Sequence, residues 1–358
     1  MKKKWKLFRL DKEAVLLDSG PFILKTFLAI GSAYALGVVT PVAQRDMISV
    51  LFGLILTLEP TNITGLRRGK EQFVASLIGA LITAAIVAVL GVNPVSVGLS
   101  VAMTLFVCLK VNWRDISPVA LFTSIYMTQN MQLGLGGEPS IWLTFQLRMI
   151  ALALGVIIAV VWNFVFSLIQ YRRITYRRLA FLVKHLLIHL AELKTALQSD
   201  QWDTIDQKRA NLAQVFNDID WIKSLFEDML GEGALTRRMA GISDDRLRTK
   251  VKLTRYMRMI CHLLYDAECH ICDRMDQRKK LMDHRHELIS SLDTIMDNLG
   301  VLKRILENQE HPSALKARTI ILSAQVPDTL SRIFEDVKGM NENTLRMFEL
   351  IERERVFQ

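Results

Sequence analysis

The chain has 358 residues, of which 51% are hydrophobic and 23% are charged, and Lys and Arg outnumber Asp and Glu by 45 to 36. This composition excludes a disordered chain and a collagen-like fibre, and 4 Cys in this length exclude a disulfide-rich scaffold. A positive mean hydropathy beside so many charges indicates an apolar part and a charged part. We expect a basic cytosolic N-terminus over 1–21, a transmembrane domain over 22–169 and a cytosolic helical domain over 170–358.

The apolar runs begin only after the basic N-terminal segment. No small-residue cleavage site follows the first run, so we interpret it as a first span and not as a cleaved signal peptide. A hydrocarbon core of ~30 Å requires ~20 helical residues, and runs two and five have short apolar cores. The six runs are 22–40, 43–59, 72–90, 95–111, 116–133 and 141–168.

Charge placement favours six crossings. Basic loops alternate with loops that contain only Arg45 if all six runs cross the membrane. The positive-inside rule then predicts that both termini are cytoplasmic. We therefore expect an integral, multi-pass membrane protein.

The second half of the chain is predicted to be a helical bundle. Five segments between 179 and 351 carry apolar residues at alternating spacings of three and four, which is typical of a narrow helical seam. Such seams belong to antiparallel helix pairs or to coiled coils, and they could also pair with a second copy. The predicted fold class is thus all-α, with a six-helix transmembrane bundle followed by a cytosolic antiparallel helical or coiled-coil bundle.

The sequence contains no motif for catalysis or for a cofactor. No phosphate-binding loop, dinucleotide fingerprint or nucleophile elbow occurs, so we expect neither an enzyme nor a cofactor. The segment with Cys261, Cys269 and Cys272 is rich in metal-ligand types, but on one helix the first two lie ~12 Å apart. His185 and His189 have a metal-ligand spacing, yet His189 falls on the apolar seam. We therefore expect no metal.

Two basic clusters flank the spans. They lie at Lys2–Lys12 and at Arg172–Arg178, where Lys and Arg set topology and contact anionic lipid headgroups. No aromatic-interleaved basic patch accompanies them, so we expect no nucleic-acid partner.

Charged residues within the spans are candidates for a substrate site, because each is costly there. Arg148 lies ~10 Å deep in the last span by helical rise, and an organic anion is a natural partner for it. Lys25 lies one turn into the first span, where snorkelling to the interface is the alternative reading. Candidate charges at the mouths of a pore are Arg45, Asp46, Arg114 and Asp115, for which interfacial anchoring is the alternative.

The two short runs each end in a polar patch. Candidate substrate-binding residues there are Glu59, Thr61 and Asn62 in the first patch, and Gln129 and Asn130 in the second. If the domain is divided into three spans plus three, the short runs occupy corresponding positions with opposite direction. Many transporters build a midplane site from such inverted repeats with interrupted helices.

One stretch resembles a known family. Leu58-Glu59-Pro60-Thr61, then Arg67-Arg68-Gly69 and Leu77-Ile78-Gly79-Ala80, is similar to the region between the second and third spans of the aromatic acid exporter / fusaric-acid-resistance superfamily. The layout resembles its short bacterial form, which implies a location in a bacterial plasma membrane. The family commonly has Gln where Glu59 stands, so the resemblance assigns this carboxylate no role.

The resemblance implies export of organic anions, of which aromatic carboxylates are the expected class, with the proton gradient as a candidate energy source. It also implies a homo-oligomer, with a dimer favoured. No Asp, Glu or His lies at mid-depth in a predicted span, which disfavours strong proton coupling and favours the alternative of a dimeric organic-anion channel. The third alternative is a membrane-anchored scaffold or sensor.

Overall fold

The computed structural model describes residues 19–110, 117–129, 131–134, 137–199, 203–239, 241–273, 278–308, 319 and 330–353. These residues are almost entirely helical, which confirms the all-α fold class. The chain divides into two compact units. One unit is Gly20–Ile169, and the other contains the described residues from Gln170 onward.

The first unit consists of short and long helices in alternation. Its elements are α1 (Ser19–Val39), α2 (Pro41–Arg45), α3 (Met47–Thr57), α4 (Asn62–Leu90), α5 (Pro94–Lys110), α6 (Ser117–Gln129) and the first half of α7 (Ile141–Ser199). A two-residue antiparallel pair, β1 (Gln132–Leu133) with β2 (Pro139–Ser140), precedes α7.

Three of the described helices are long and apolar enough to cross a membrane. They are Ser19–Val39, Asn62–Leu90 and the Ile141–Ile169 part of α7. The helices α3 and α5 are apolar but shorter. The chain is therefore a membrane protein, and the count of six crossings stays a prediction.

Two boundaries differ from the sequence-based expectation. The second run is broken at Asp46, which ends α2 and whose carboxylate caps α3 by accepting from Ser49 N. Arg67 and Arg68 were expected in a loop but lie on α4, because Thr61 Oγ1 accepts from Thr64 N and starts the helix at Asn62. Thr and Asp are favoured N-caps, which explains both starts.

The helices of the first unit pack in two groups of three. One buried cluster joins α1, α3 and α7 through residues such as Ala29, Val50 and Ala151. Another joins α4, α5 and α6 through Ala75, Cys108 and Ala120. In a three-plus-three division, each half thus contributes its last long helix to the group formed by the other half, so the two halves pack in corresponding ways.

Glycines allow the closest approaches within these groups. A Cβ on Gly155 of α7 would overlap the carbonyl oxygen of Val50 on α3. A Cβ on Gly79 of α4 would likewise overlap the carbonyl oxygen of Ala120 on α6. Small residues let helix backbones approach in membranes, where apolar burial gives little driving force between helices.

The helices of the second unit bury the apolar seams that the sequence predicts. Its elements are the second half of α7, then α8 (Asp203–Gly231), α9 (Ala234–Met239), α10 (Asp244–Asp273), α11 (Arg278–Asp283), α12 (Arg285–Asn308) and α13 (Ser331–Arg353). The seam residues are buried on α7, α8, α10, α12 and α13. Helix α10 packs against both α8 and α13. The expected break between His311 and Pro327 lies almost wholly outside the described residues.

Candidate functional site

A charged cluster lies at the N-terminal end of α3. The Arg148 guanidinium on α7 stacks on the Tyr126 ring of α6, with Cζ 3.7 Å from the ring centroid. Its Nε lies 3.5 Å from Asp46 Oδ2, and both Arg148 and Asp46 are buried. The structure thus brings Arg148 and Asp46 together, which were predicted as separate elements of a site and of a pore mouth.

Local structure around Asp46 explains its orientation. Its carboxylate accepts from Ser49 N at 3.2 Å, from Ser49 Oγ at 2.7 Å and from Tyr126 Oη at 3.3 Å. The N-terminal end of a helix also favours a negative charge. Asp46 is therefore held by partners other than Arg148, and its contact with the guanidinium is longer than the ~2.8 Å of a tight charge-assisted hydrogen bond.

A cavity of about 120 Å³ opens beside this cluster. The Phe52 and Phe122 rings line it with their centroids 6.1 Å apart, and Arg148 forms part of its wall. The remaining lining residues are Ile48, Ser49, Ser76, Thr123, Tyr126, Met149 and Leu152. The lining is mostly apolar, with hydroxyl groups and one guanidinium as its polar elements.

Such a lining suits a small ring with an anionic group. An apolar cavity of about 150 Å³ in another protein binds benzene, so the size here is that of one aromatic ring. Arg binds carboxylates through planar, paired donors, and aromatic rings pack edge to face against Phe. The arrangement can therefore hold an aromatic carboxylate by its ring and its charge.

A second polar cluster lies at the other end of α3. Lys25 Nζ on α1 donates to Glu59 O at 2.5 Å and to Asn163 Oδ1 at 2.9 Å on α7. Asn163 Nδ2 donates to Thr57 O at 3.0 Å. Lys25 and Asn163 are 4% and 3% exposed, so the lysine does not reach solvent as snorkelling would require.

The first polar patch is built into this end of α3. The Glu59 carboxylate lies 2.6 Å from Arg68 Nη1. Thr61 caps α4, and Asn62 Nδ2 donates to Ser167 Oγ at 2.9 Å. None of these predicted binding residues lines the cavity beside Arg148, so the predicted set divides between the two ends of α3.

Two of the other predicted residues, Arg45 and Gln129, are exposed. The Arg45 carbonyl oxygen accepts from Gln132 Nε2 at 3.3 Å. Gln129 lies at the end of α6. Arg114, Asp115 and Asn130 lie outside the described residues.

Sequence reasoning missed four residues of these clusters. Phe52, Phe122 and Tyr126 look like ordinary apolar positions in their runs, and only the fold places them around one cavity. Asn163 carried a detectable signal, because an amide deep in a long apolar run is costly unless it is hydrogen-bonded. That signal was available from the sequence alone.

The second unit contains several buried ionisable groups. No group of three His, Cys, Asp or Glu in the described parts of the chain could hold a metal ion. Burial raises the pKa of Glu268 to about 8 and that of the Cys261 thiol to about 12. Burial also lowers the pKa of His189, which lies on the seam of α7. His270 Nδ1 lies 2.9 Å from Asp336 Oδ2 and links α10 to α13.

One family model and several known proteins are similar to parts of this chain. Residues 20–166 match the family model described as aromatic acid exporter family member 1. A UPF0421 protein of Staphylococcus epidermidis is 30% identical over 112 residues, which are 31% of this chain and 32% of the relative. A UPF0421 protein of Oceanobacillus iheyensis is 37% identical over 73 residues, which are 20% of this chain and 21% of the relative.

The alignments thus cover about a third of the Staphylococcus relative and about a fifth of the Oceanobacillus one. The family match, in contrast, spans nearly all of the unit that contains both clusters at α3. Residues 20–166 are therefore similar to the aromatic acid exporter family, as the Leu58-Glu59-Pro60-Thr61 motif had indicated.

Proposed function

We propose that this protein is an exporter of organic anions and that aromatic carboxylates bind in the cavity between α3, α4, α6 and α7. The observation that carries the proposal is the buried Arg148 guanidinium in the wall of a cavity that Phe52 and Phe122 also line. A substrate ring would pack against these two rings, and its carboxylate would approach the guanidinium.

In this proposal Asp46 acts as an internal substitute for the substrate carboxylate. When the cavity is empty, Asp46 neutralises part of the Arg148 charge across the 3.5 Å contact. When a substrate arrives, its carboxylate competes for Arg148, while Asp46 keeps its bonds to Ser49 and Tyr126. The Arg148 charge is then paired in both states, which avoids the large cost of an isolated buried guanidinium.

Exchange in proteoliposomes tests the proposal. Vesicles that contain the purified full chain are loaded with unlabelled 4-hydroxybenzoate, and entry of the labelled compound is measured against protein-free vesicles. We expect saturable exchange by the wild type, and loss of most of it in Arg148→Gln with membrane insertion intact. Lys70→Gln is the matched control, because it removes a positive charge from an exposed position of α4 in the same unit.

The outcomes distinguish the three classes of function. Normal exchange by Arg148→Gln would make the deep arginine a structural residue only. Flux without saturation, together with large unitary currents, would assign an anion channel. Absence of flux for every tested anion would favour a scaffold or sensor. Phe122→Ala should lower exchange of the aromatic anion more than that of acetate, because it removes ring packing and leaves Arg148 in place.

A further inference from the structure

The carbonyl groups at the C-terminal end of α3 need hydrogen-bond partners from outside the helix. This helix ends at Thr57, Leu58 is extended with φ −69° and ψ 109°, and the next helix begins only at Asn62. The last carbonyl groups of a helix have no partner within it, and bare carbonyl groups are costly inside an apolar unit. Partners for them must therefore come from other helices.

Side chains from three other helices donate to carbonyl groups at this end of α3, and one of them is Gln72 on α4, whose Nε2 donates to Leu56 O at 3.0 Å. Asn163 Nδ2 donates to Thr57 O, and Lys25 Nζ donates to Glu59 O. Asn163 Oδ1 in turn accepts from Glu59 N at 3.3 Å and from Lys25 Nζ. The amide is thereby oriented on both sides, with its oxygen toward the ammonium group.

Interrupted helices in secondary transporters often use such ends for a coupling cation. Their unwound carbonyl groups and the negative end of the helix dipole bind sodium ions or protons. Here the ammonium of Lys25 lies at that end of α3. We propose that the end of α3, with Asn163, is a monovalent-cation site which the protein fills with its own Lys25 ammonium.

Further observations distinguish a cation site from a lysine that is only packed among its neighbours. The ammonium is buried, and it donates to two neutral oxygens, Glu59 O and Asn163 Oδ1. The Glu59 carboxylate, meanwhile, is ion-paired with Arg68. In addition, Thr57 Oγ1 is fully buried at this end and makes no hydrogen bond within the part of the chain that the structure describes.

The proposal goes beyond organic-anion export and has a consequence for it. A tethered cation cannot leave with the substrate, so an exporter built in this way does not require external sodium. Exchange of 4-hydroxybenzoate should then run at the same rate in sodium chloride and in choline chloride.

Chemical rescue tests the cation site without any anionic substrate. The full chain in detergent is melted in choline chloride, sodium chloride or ammonium chloride at equal ionic strength. The wild type should melt at the same temperature in all three salts, because Lys25 occupies the site. Lys25→Ala should melt several degrees lower in choline, and ammonium or sodium should restore part of the loss.

Lys25→Met is the matched control, because it removes the charge but fills the space. It should melt below the wild type and show no response to ammonium or sodium. The proposal is overturned if Lys25→Ala melts like the wild type, or if neither small cation stabilises it. A higher melting temperature of the wild type in sodium chloride than in choline chloride would also overturn it. This comparison needs only the wild type, so it still tests the proposal if Lys25→Ala cannot be purified.

Since no organic anion is used, a failure here is distinct from a failure of the exchange assay. Loss of exchange in Arg148→Gln with no cation response in Lys25→Ala would leave the exporter proposal standing and remove only the cation site.

Discussion

The rings of Phe52 and Phe122 meet edge to face, with their planes inclined by 61°. They come from α3 and α6, the two short helices that correspond in the three-plus-three division. Each helix lines the cavity with residues at the same spacing, namely Ile48, Ser49 and Phe52 from one and Phe122, Thr123 and Tyr126 from the other. This is the placement that the inverted-repeat hypothesis requires of its two middle helices.

Removing the competing carboxylate should strengthen substrate binding. In Asp46→Asn the amide can still cap α3, because Asn is as good an N-cap as Asp. The Arg148 charge, however, loses its internal partner and becomes more available to a carboxylate. We therefore expect a lower KM for 4-hydroxybenzoate exchange, together with slower turnover, because product release then breaks a stronger pair. An unchanged or higher KM in a variant that exchanges would contradict the role given to Asp46.

Gly155 should be intolerant of any side chain. A Cβ there would overlap Val50 O, so Gly155→Ala must push α3 and α7 apart. Overpacking of this kind costs about 1–3 kcal/mol, and the melting temperature of the full chain in detergent should fall by several degrees. Gly98→Ala on α5 is the control, because a Cβ there meets nothing within 4 Å. Equal melting temperatures for the two variants would show that this contact does not limit stability.

The six predicted crossings can be tested by thiol labelling in a background without the native cysteines. Leu66 and Leu133 are 58% and 63% exposed, so cysteines at both positions should be reactive. With six crossings and cytoplasmic termini, an impermeant maleimide labels Leu133→Cys in intact cells and Leu66→Cys only after permeabilisation. The reverse pattern would overturn the topology.

The stability of the second unit should depend on Glu268. Burial raises its pKa in the folded state from 4.5 to about 8, with Arg209 acting in the opposite direction and Glu192 in the same direction. Between these two values the folded state binds more protons than the unfolded state, so stability falls as pH rises through this window. The loss by pH 7 is roughly 3 kcal/mol if one pKa unit corresponds to about 1.4 kcal/mol.

Glu268→Gln should therefore slow hydrogen exchange of the α10 amides at pH 7. After correction for intrinsic exchange, the rates in this variant should also depend less on pH than those in the wild type. Gln resembles the protonated acid and has no charge to bury. Glu342→Gln on α13 is the control, because Glu342 is exposed and its substitution should leave the dependence unchanged. A pH slope that persists in Glu268→Gln would assign the titration to another group.

The seams of the second unit show how much periodicity can determine. A heptad spacing indicates which face of a helix is apolar, and that face must be buried against a neighbour. Residues such as Leu182, Ile219, Met257, Leu299 and Val337 were predicted in this way, and all are buried. Periodicity does not indicate which helices become neighbours. Only the structure shows that α10 packs against both α8 and α13.

In the first unit, the amino-acid sequence alone determined the apolar runs, the costly Lys25 and Arg148, and the motif of the family. Those are local quantities, because hydropathy and charge belong to each residue. Only the tertiary structure decided that Arg148 meets Asp46 and Tyr126, and that Lys25 meets Asn163 at the other end of α3. These contacts depend on helix packing through Gly79 and Gly155. A hydropathy pattern that is apolar on every side of a helix does not specify which side faces a partner.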